Sequence, residues 1–170
     1  MDELDIVLTA GKKHGVDEAL VIYTSKIDVK DAIRLKAKFG EKHSALNWIE
    51  KGYDITPNDM RSLLREYTKA VLVIGKEGKM ALDTFWTAMM DIEHTLQLNN
   101  FYKALALVSG PCRGCGNCTV VKGKACNAPD KRRPTLEGVG IDILSTVKRF
   151  KKNVDWSGRG FHSVGIVLLE

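Results

Sequence analysis

Apolar residues recur along this chain in two periods. Leu4, Val7 and Leu8 stand at helical spacing ahead of Gly15, and Met60, Leu63, Leu64 and Tyr67 repeat at i, i+3, i+4 and i+7. Both stretches predict amphipathic helices. The second has Thr56 as a capping residue, Pro57 in the first turn and Asp59 where the helix dipole favours negative charge. The longest stripe, Leu82, Phe85, Trp86, Met89, Ile92, Glu93 and Leu96, predicts a long helix ending at Asn99-Asn100. Four short apolar runs, residues 19–23 (ALVIY), 71–74 (VLVI), 104–108 (ALALV) and 164–169 (VGIVLL), read instead as buried strands. Ile33, Leu35, Ala37 and Phe39 alternate with Arg34, Lys36 and Lys38, which predicts a fifth strand with one wet face, beside the 19–23 run. Past Pro134, Thr135 is a candidate cap for a helix through Leu136, Val139, Ile143, Val147 and Phe150, despite the cost of Gly138 and Gly140.

Strands interleaved with helices, and mostly apolar throughout, predict an α/β layered domain with a mixed, roughly five-stranded sheet covered by helices. A length of 170 residues at 44% hydrophobic content suits one domain spanning residues 1–170. No apolar stretch approaches the roughly 18 residues that a membrane span needs. The first residues, MDELDIVLTAGKKHG, are charged and lack the apolar run of a signal peptide, so the expected compartment is the cytoplasm. Gly158 and Gly160 lack the third glycine of a nucleotide fingerprint and run into a strand, which reads as a turn.

Chemistry concentrates in one place. All four cysteines lie in PCRGCGNCTVVKGKAC, as Cys112, Cys115, Cys118 and Cys126, spaced C-x2-C-x2-C-x7-C within a loop over residues 110–134 that follows a strand expected to be central. Disulfides fit poorly with a reducing compartment. Structural zinc is usually held by two C-x2-C hooks set well apart, each supplying two corners of one tetrahedron. Here a third cysteine follows at once, as in the first part of the bacterial ferredoxin run, and the pattern favours a 4Fe-4S cluster, with zinc as the alternative and a redox or unligated thiol cluster as the least favoured reading. Gly110, Gly114 and Gly116 suit either metal, because the backbone must turn tightly around sulfur. His43, in a polar connection, and His94, beside the long helical stripe, read as solvated or boundary histidines in preference to ligands.

Charge changes the picture only locally. From Cys112 to Arg133, six cations (Arg113, Lys122, Lys124, Lys131, Arg132 and Arg133) face one carboxylate, Asp130, and that imbalance equals the whole formal charge of +5. Four thiolates around a 4Fe-4S core or a zinc ion carry about two net negative charges, which these cations offset. The basic run lacks the interleaved aromatics that stack bases, so nucleic acid is not the expected partner. A redox protein or larger complex presenting carboxylates to Arg113, Lys122 and Lys124 is.

The stretch from CRGCGNC through ACNAPDKRRPTLEGVGIDILSTVK, the terminal GIVLLE and DITPNDMRSLLREYTKAVLVIG together resemble an uncharacterised prokaryotic family of predicted metal-binding proteins. The family's triple-cysteine run and fourth cysteine fall on Cys112, Cys115, Cys118 and Cys126. Its basic-Pro-Ser/Thr-Leu-Glu element falls on Arg133 to Glu137, and its Gly-Ile-Asp segment opening into a helix falls on Gly140, Ile141 and Asp142. A further cysteine set that relatives carry before the Thr-Pro helix has no counterpart in KAKFGEKHSALNWIEKGYD, so the resemblance implies one centre and not two. Two classes of function follow. One is a single-cluster iron-sulfur protein of an anaerobe, relaying electrons or serving as an accessory subunit of a larger redox or cofactor-activating assembly. The other is a structural zinc module docking an acidic partner or RNA. No flavin, nucleotide or acid/base motif marks a catalytic residue, so activity as an enzyme on its own is not expected.

Overall fold

The computed structural model describes residues 2–40, 55–75, 82–150 and 163–170. His43 and the 156–161 turn lie outside the described residues. Among the described residues there are five α-helices, α1 (Glu3–Lys12), α2 (Asp31–Gly40), α3 (Pro57–Leu64), α4 (Leu82–Leu98) and α5 (Ile143–Phe150). Four strands join them: β1 (Val16–Tyr23), β2 (Lys69–Gly75), β3 (Leu105–Val108) and β4 (Val164–Leu168). The α/β class expected from the sequence is what forms.

The strands make one sheet in the order β1-β2-β4-β3, and every neighbouring pair is antiparallel. The expected mixed, five-stranded sheet is corrected on both counts. β2 and β3 do run in the same direction, joined by α4, but β4 inserts between them, opposing both. Continuous apolar strands need only two covered faces, and both faces are covered here. Val71, Val73, Ala106 and Val167 pack with Ile6 and Val7 of α1 and with Phe85, Met89 and Ile92 of α4. Leu72, Ile74, Leu107 and Ile166 pack the other way, against Met60 and Leu64 of α3 and against Leu136, Ile141 and Val147. Period-two geometry thus sends alternate residues of each apolar run into separate cores.

The missing fifth strand is α2. Its alternation of apolar and basic residues fits a strand, but Ala32 and the Arg-Leu-Lys-Ala-Lys run are strong helix formers. As a helix it places Ile33, Arg34 and Ala37 inward while Leu35 and Phe39 stay exposed. Local propensity won because the pattern spans too few residues to carry a unique period. The last helix is also shorter than its apolar spacing suggests. Leu136, Val139 and Ile141 are buried, yet Gly140 takes φ +87° and the chain becomes helical only after Asp142. Asp142 Oδ1 caps that helix by accepting from Ser145 N at 3.1 Å. Thr56 and Asp59 form the predicted cap on α3, each side chain accepting from the other's backbone N–H.

β3 lies at an edge of the sheet, not at its centre. Three of its outward backbone groups are nonetheless satisfied. Ala106 N donates to Glu93 Oε2 at 2.6 Å, Val108 N donates to Pro134 O at 3.3 Å, and Val108 O accepts from Leu136 N at 3.0 Å. Covering an edge in this way prevents it from templating another strand. Among the described residues no helix is long and apolar enough to cross a membrane.

Candidate metal centre

The contacts that cover the β3 edge also bring the two ends of the cysteine loop together. On the entry side Ser109 N donates to Val164 O at 2.9 Å, and Ser109 Oγ accepts from Val164 N at 3.1 Å. Gly110, in the left-handed region at φ +78°, then turns the chain, and its N–H donates to Glu137 Oε2 at 3.3 Å. On the exit side Thr135 forms a parallel bridge with Val108. The loop therefore begins and ends on one rigid base.

Inside the loop, the long gap between the third and fourth cysteines is folded back on itself. Thr119 O accepts from Lys122 N and Lys124 N, both at 3.0 Å, while Thr119 Oγ1 donates to Ala125 O at 2.6 Å. Gly123 closes the turn at φ +78°. Cys118 and Cys126, which adjoin Thr119 and Ala125, are thereby returned to one another. Across the loop, an ideal Cβ built on Gly114 would meet Lys131 O at 2.9 Å, so the first knuckle lies directly against the returning backbone. Gly116 faces open space.

All four thiols are half-buried. Cys112 packs against the core between the sheet and α4. Burial, followed by the charges of Cys118, Cys112 and Cys126 and a hydrogen bond with Cys118, pushes the Cys115 thiol above its ordinary range. Crowded thiolates repel one another, and a cation among them relieves that repulsion. The donor set fits a thiolate-bound metal. Among the described residues no group of three or more His, Cys, Asp or Glu side chains is already gathered as a metal site, so the final approach of the sulfurs would accompany binding.

The loop is also pinned from beneath. Glu93 of α4, buried within that helix's apolar stripe, receives Nε and Nη2 of Arg133 at 2.9 and 2.5 Å. Arg133 Nη1 in turn donates to Asp130 O and Arg132 O at 2.9 and 2.7 Å. Hydrogen bonding to Glu93 holds the guanidinium even more firmly protonated than usual, against the opposing effect of burial, and Cys112 is among the charges that reinforce it.

The profile of the family described as predicted metal-binding protein (DUF2284) matches residues 20–169. The chain belongs to that family. No curated protein and no solved structure matches it. Membership agrees with the resemblance carried by the cysteine run and by the 133–137 and 140–142 segments. In the fold these last two segments form the exit of the metal loop and the cap of α5.

The residues expected to ligate, Cys112, Cys115, Cys118 and Cys126, all lie half-buried in one loop. Lys122 and Lys124 are exposed on it, while Arg113 reaches Asp83 at 3.6 Å. His94 is exposed on α4. Arg133 is not part of an open basic patch, because its donors are taken by Glu93 and the backbone. Glu93 is the residue that sequence reasoning missed, since it was read as one more position of an apolar stripe. The signal was there: a carboxylate on a buried helix face needs a partner.

Proposed function

We propose that the chain binds one metal centre through Cys112, Cys115, Cys118 and Cys126, that this centre is a 4Fe-4S cluster, and that the protein serves as an electron-transfer or accessory subunit of a larger redox or cofactor-activating assembly. The observation that carries this reading is the fold of the loop, in which the Thr119 turn returns Cys126 toward Cys118 and Lys131 O closes on Gly114 between Cys112 and Cys115. Three cysteines within one tight run suit a centre several ångströms across better than a single ion. When bound, such a cluster supplies reversible one-electron transfer. The chain's own contribution is to hold four thiolates on a base tied to β3 and β4, to seat Cys112 against the core, and to surround the centre with cations that favour thiolate formation.

Anaerobic purification followed by visible spectroscopy and metal analysis tests the assignment. Broad absorbance near about 400 nm with roughly four iron atoms per chain is expected, as iron bound by thiolate and sulfide requires. A colourless chain with one zinc would replace this reading with the structural-zinc one.

The partner should meet the loop over Arg113, Lys122 and Lys124, offering carboxylates. Replacing Lys122 and Lys124 with glutamate should slow reduction of the iron-sulfur form by an anionic reductant such as dithionite several-fold at low salt. The effect should fade as ionic strength approaches about 0.1 M and beyond, where screening acts over roughly 10 Å. An unchanged low-salt rate would mean that these lysines only balance the thiolates locally.

A further inference from the structure

Resting on the metal reading, we propose that Glu93 and Arg133 are positioning residues for the metal loop: the pair sets the distance between the first cysteine knuckle and the chain returning from the fourth cysteine. The argument follows a continuous path of contacts. Glu93 sits on α4 with its side chain 4% exposed, and Ala106 N fixes one of its oxygens to β3. A carboxylate so placed cannot move without breaking the sheet edge. Arg133 docks on it through two nitrogens, and its remaining donor grips Asp130 O and Arg132 O. The backbone between those two carbonyls is that of Lys131, whose oxygen lies where a Cβ on Gly114 would collide. Gly114 stands between Cys112 and Cys115. The path therefore runs from a buried anchor to the knuckle itself.

Arginine suits the task and lysine does not. The planar fork can hold a carboxylate on one side and two carbonyls on the other, whereas an ammonium is a single point with no fixed orientation. Glu93 serves two roles, as cover for the edge of β3 and as anchor for the loop. The E93Q variant separates them, because the amide oxygen still accepts from Ala106 N while the charge pair is lost.

The test uses the full chain, with Zn2+ titrated into the metal-free protein against a chromogenic chelator, and unfolding of the metal-free protein followed in parallel. In the E93Q/R133M double variant both charges leave together, so the metal-free fold should melt close to wild type. Its Zn2+ affinity should nevertheless fall about 10- to 100-fold, the range for outer-shell residues that orient ligands. R133K, which keeps the charge, should lose affinity by a smaller factor. It supplies the measurement if the double variant does not fold. Zn2+ affinity within about twofold of wild type in either folded variant would overturn the proposal, twofold being well below that outer-shell range. So would a loss of affinity matched by an equal loss of stability in the metal-free chain. A wild-type chain that takes up no Zn2+ and no iron would instead overturn the metal reading itself, and this control distinguishes the two failures.

Discussion

Serine at Cys126 should leave the chain with little bound metal while the α/β core stays folded. Cys126 is the ligand most distant in sequence, and it reaches the others only because the Thr119 turn folds residues 119–125 back through Ala125 O. Serine keeps the volume and removes the soft thiolate, so the change acts on the centre and not on packing. The fourth sulfur lies outside both hydrophobic clusters, and its loss removes no core contact. Loss of one ligand should weaken binding by more than the roughly 100-fold upper range seen for outer-shell residues. Metal content per chain by elemental analysis, read alongside circular dichroism, decides the matter. Full stoichiometry in the variant would remove Cys126 from the ligand set. The same substitution at Cys112, Cys115 or Cys118 should have the same result, with Cys112 adding a small stability loss because it packs against the core beside α4.

Gly140→Val should be a strongly damaging change outside the metal loop. Gly140 sits at φ +87°, a conformation that costs an L-residue roughly 1–2 kcal/mol. Its Cβ position is also occupied on two sides, 3.0 Å from Lys30 O and 3.1 Å from Pro57 Cγ. Forcing a side chain into that corner adds about 1–3 kcal/mol of overpacking. The expected total of about 2–5 kcal/mol corresponds to a fall in melting temperature of roughly 4–20 °C for a chain of this size. Gly140 also accepts from Lys30 N at 2.7 Å, so it joins the start of α2 and the N-terminus of α3 to the segment leaving the metal loop. A melting temperature within a degree or two of wild type would show that this corner relaxes freely. Gly140→Ala should fall between the two, since it meets the same strain with a smaller volume.

Much of this architecture could be read from residue order, and the exceptions share a cause. The α3 cap was legible because Thr56, Pro57 and Asp59 act within a single turn, and the turn's own geometry satisfies them. The long helix α4 was legible because its stripe repeats over about four turns. α2 was misread because Ile33, Leu35, Ala37 and Phe39 satisfy a period of two, while the competing helical tendency lies in composition and not in spacing. The helix expected from Leu136 starts later because Leu136, Val139 and Ile141 are buried by the loop exit and not by a helical face. A buried residue's periodicity reports that it is inside, and not which backbone put it there.

The sequence by itself determined that the four thiols share one loop. Four thiols in one short run, inside a cationic and glycine-rich stretch, cannot be spread over the surface of a folded chain, and the apolar runs on either side require strands and helices to carry them. It also determined the α/β class, since alternating buried strands and amphipathic helices must be layered to cover both kinds of apolar surface. Tertiary structure alone decided how the strands pair, because the last strand inserts between two others and no local signal records which gap it fills. It likewise decided that β3 is an edge made safe by Glu93 and the Pro134–Leu136 segment. Finally, it decided that Arg133 is a half-buried anchor and not a free surface cation, because Glu93 lies 40 residues away in the chain and only the packing of α4 beneath the loop brings the pair together.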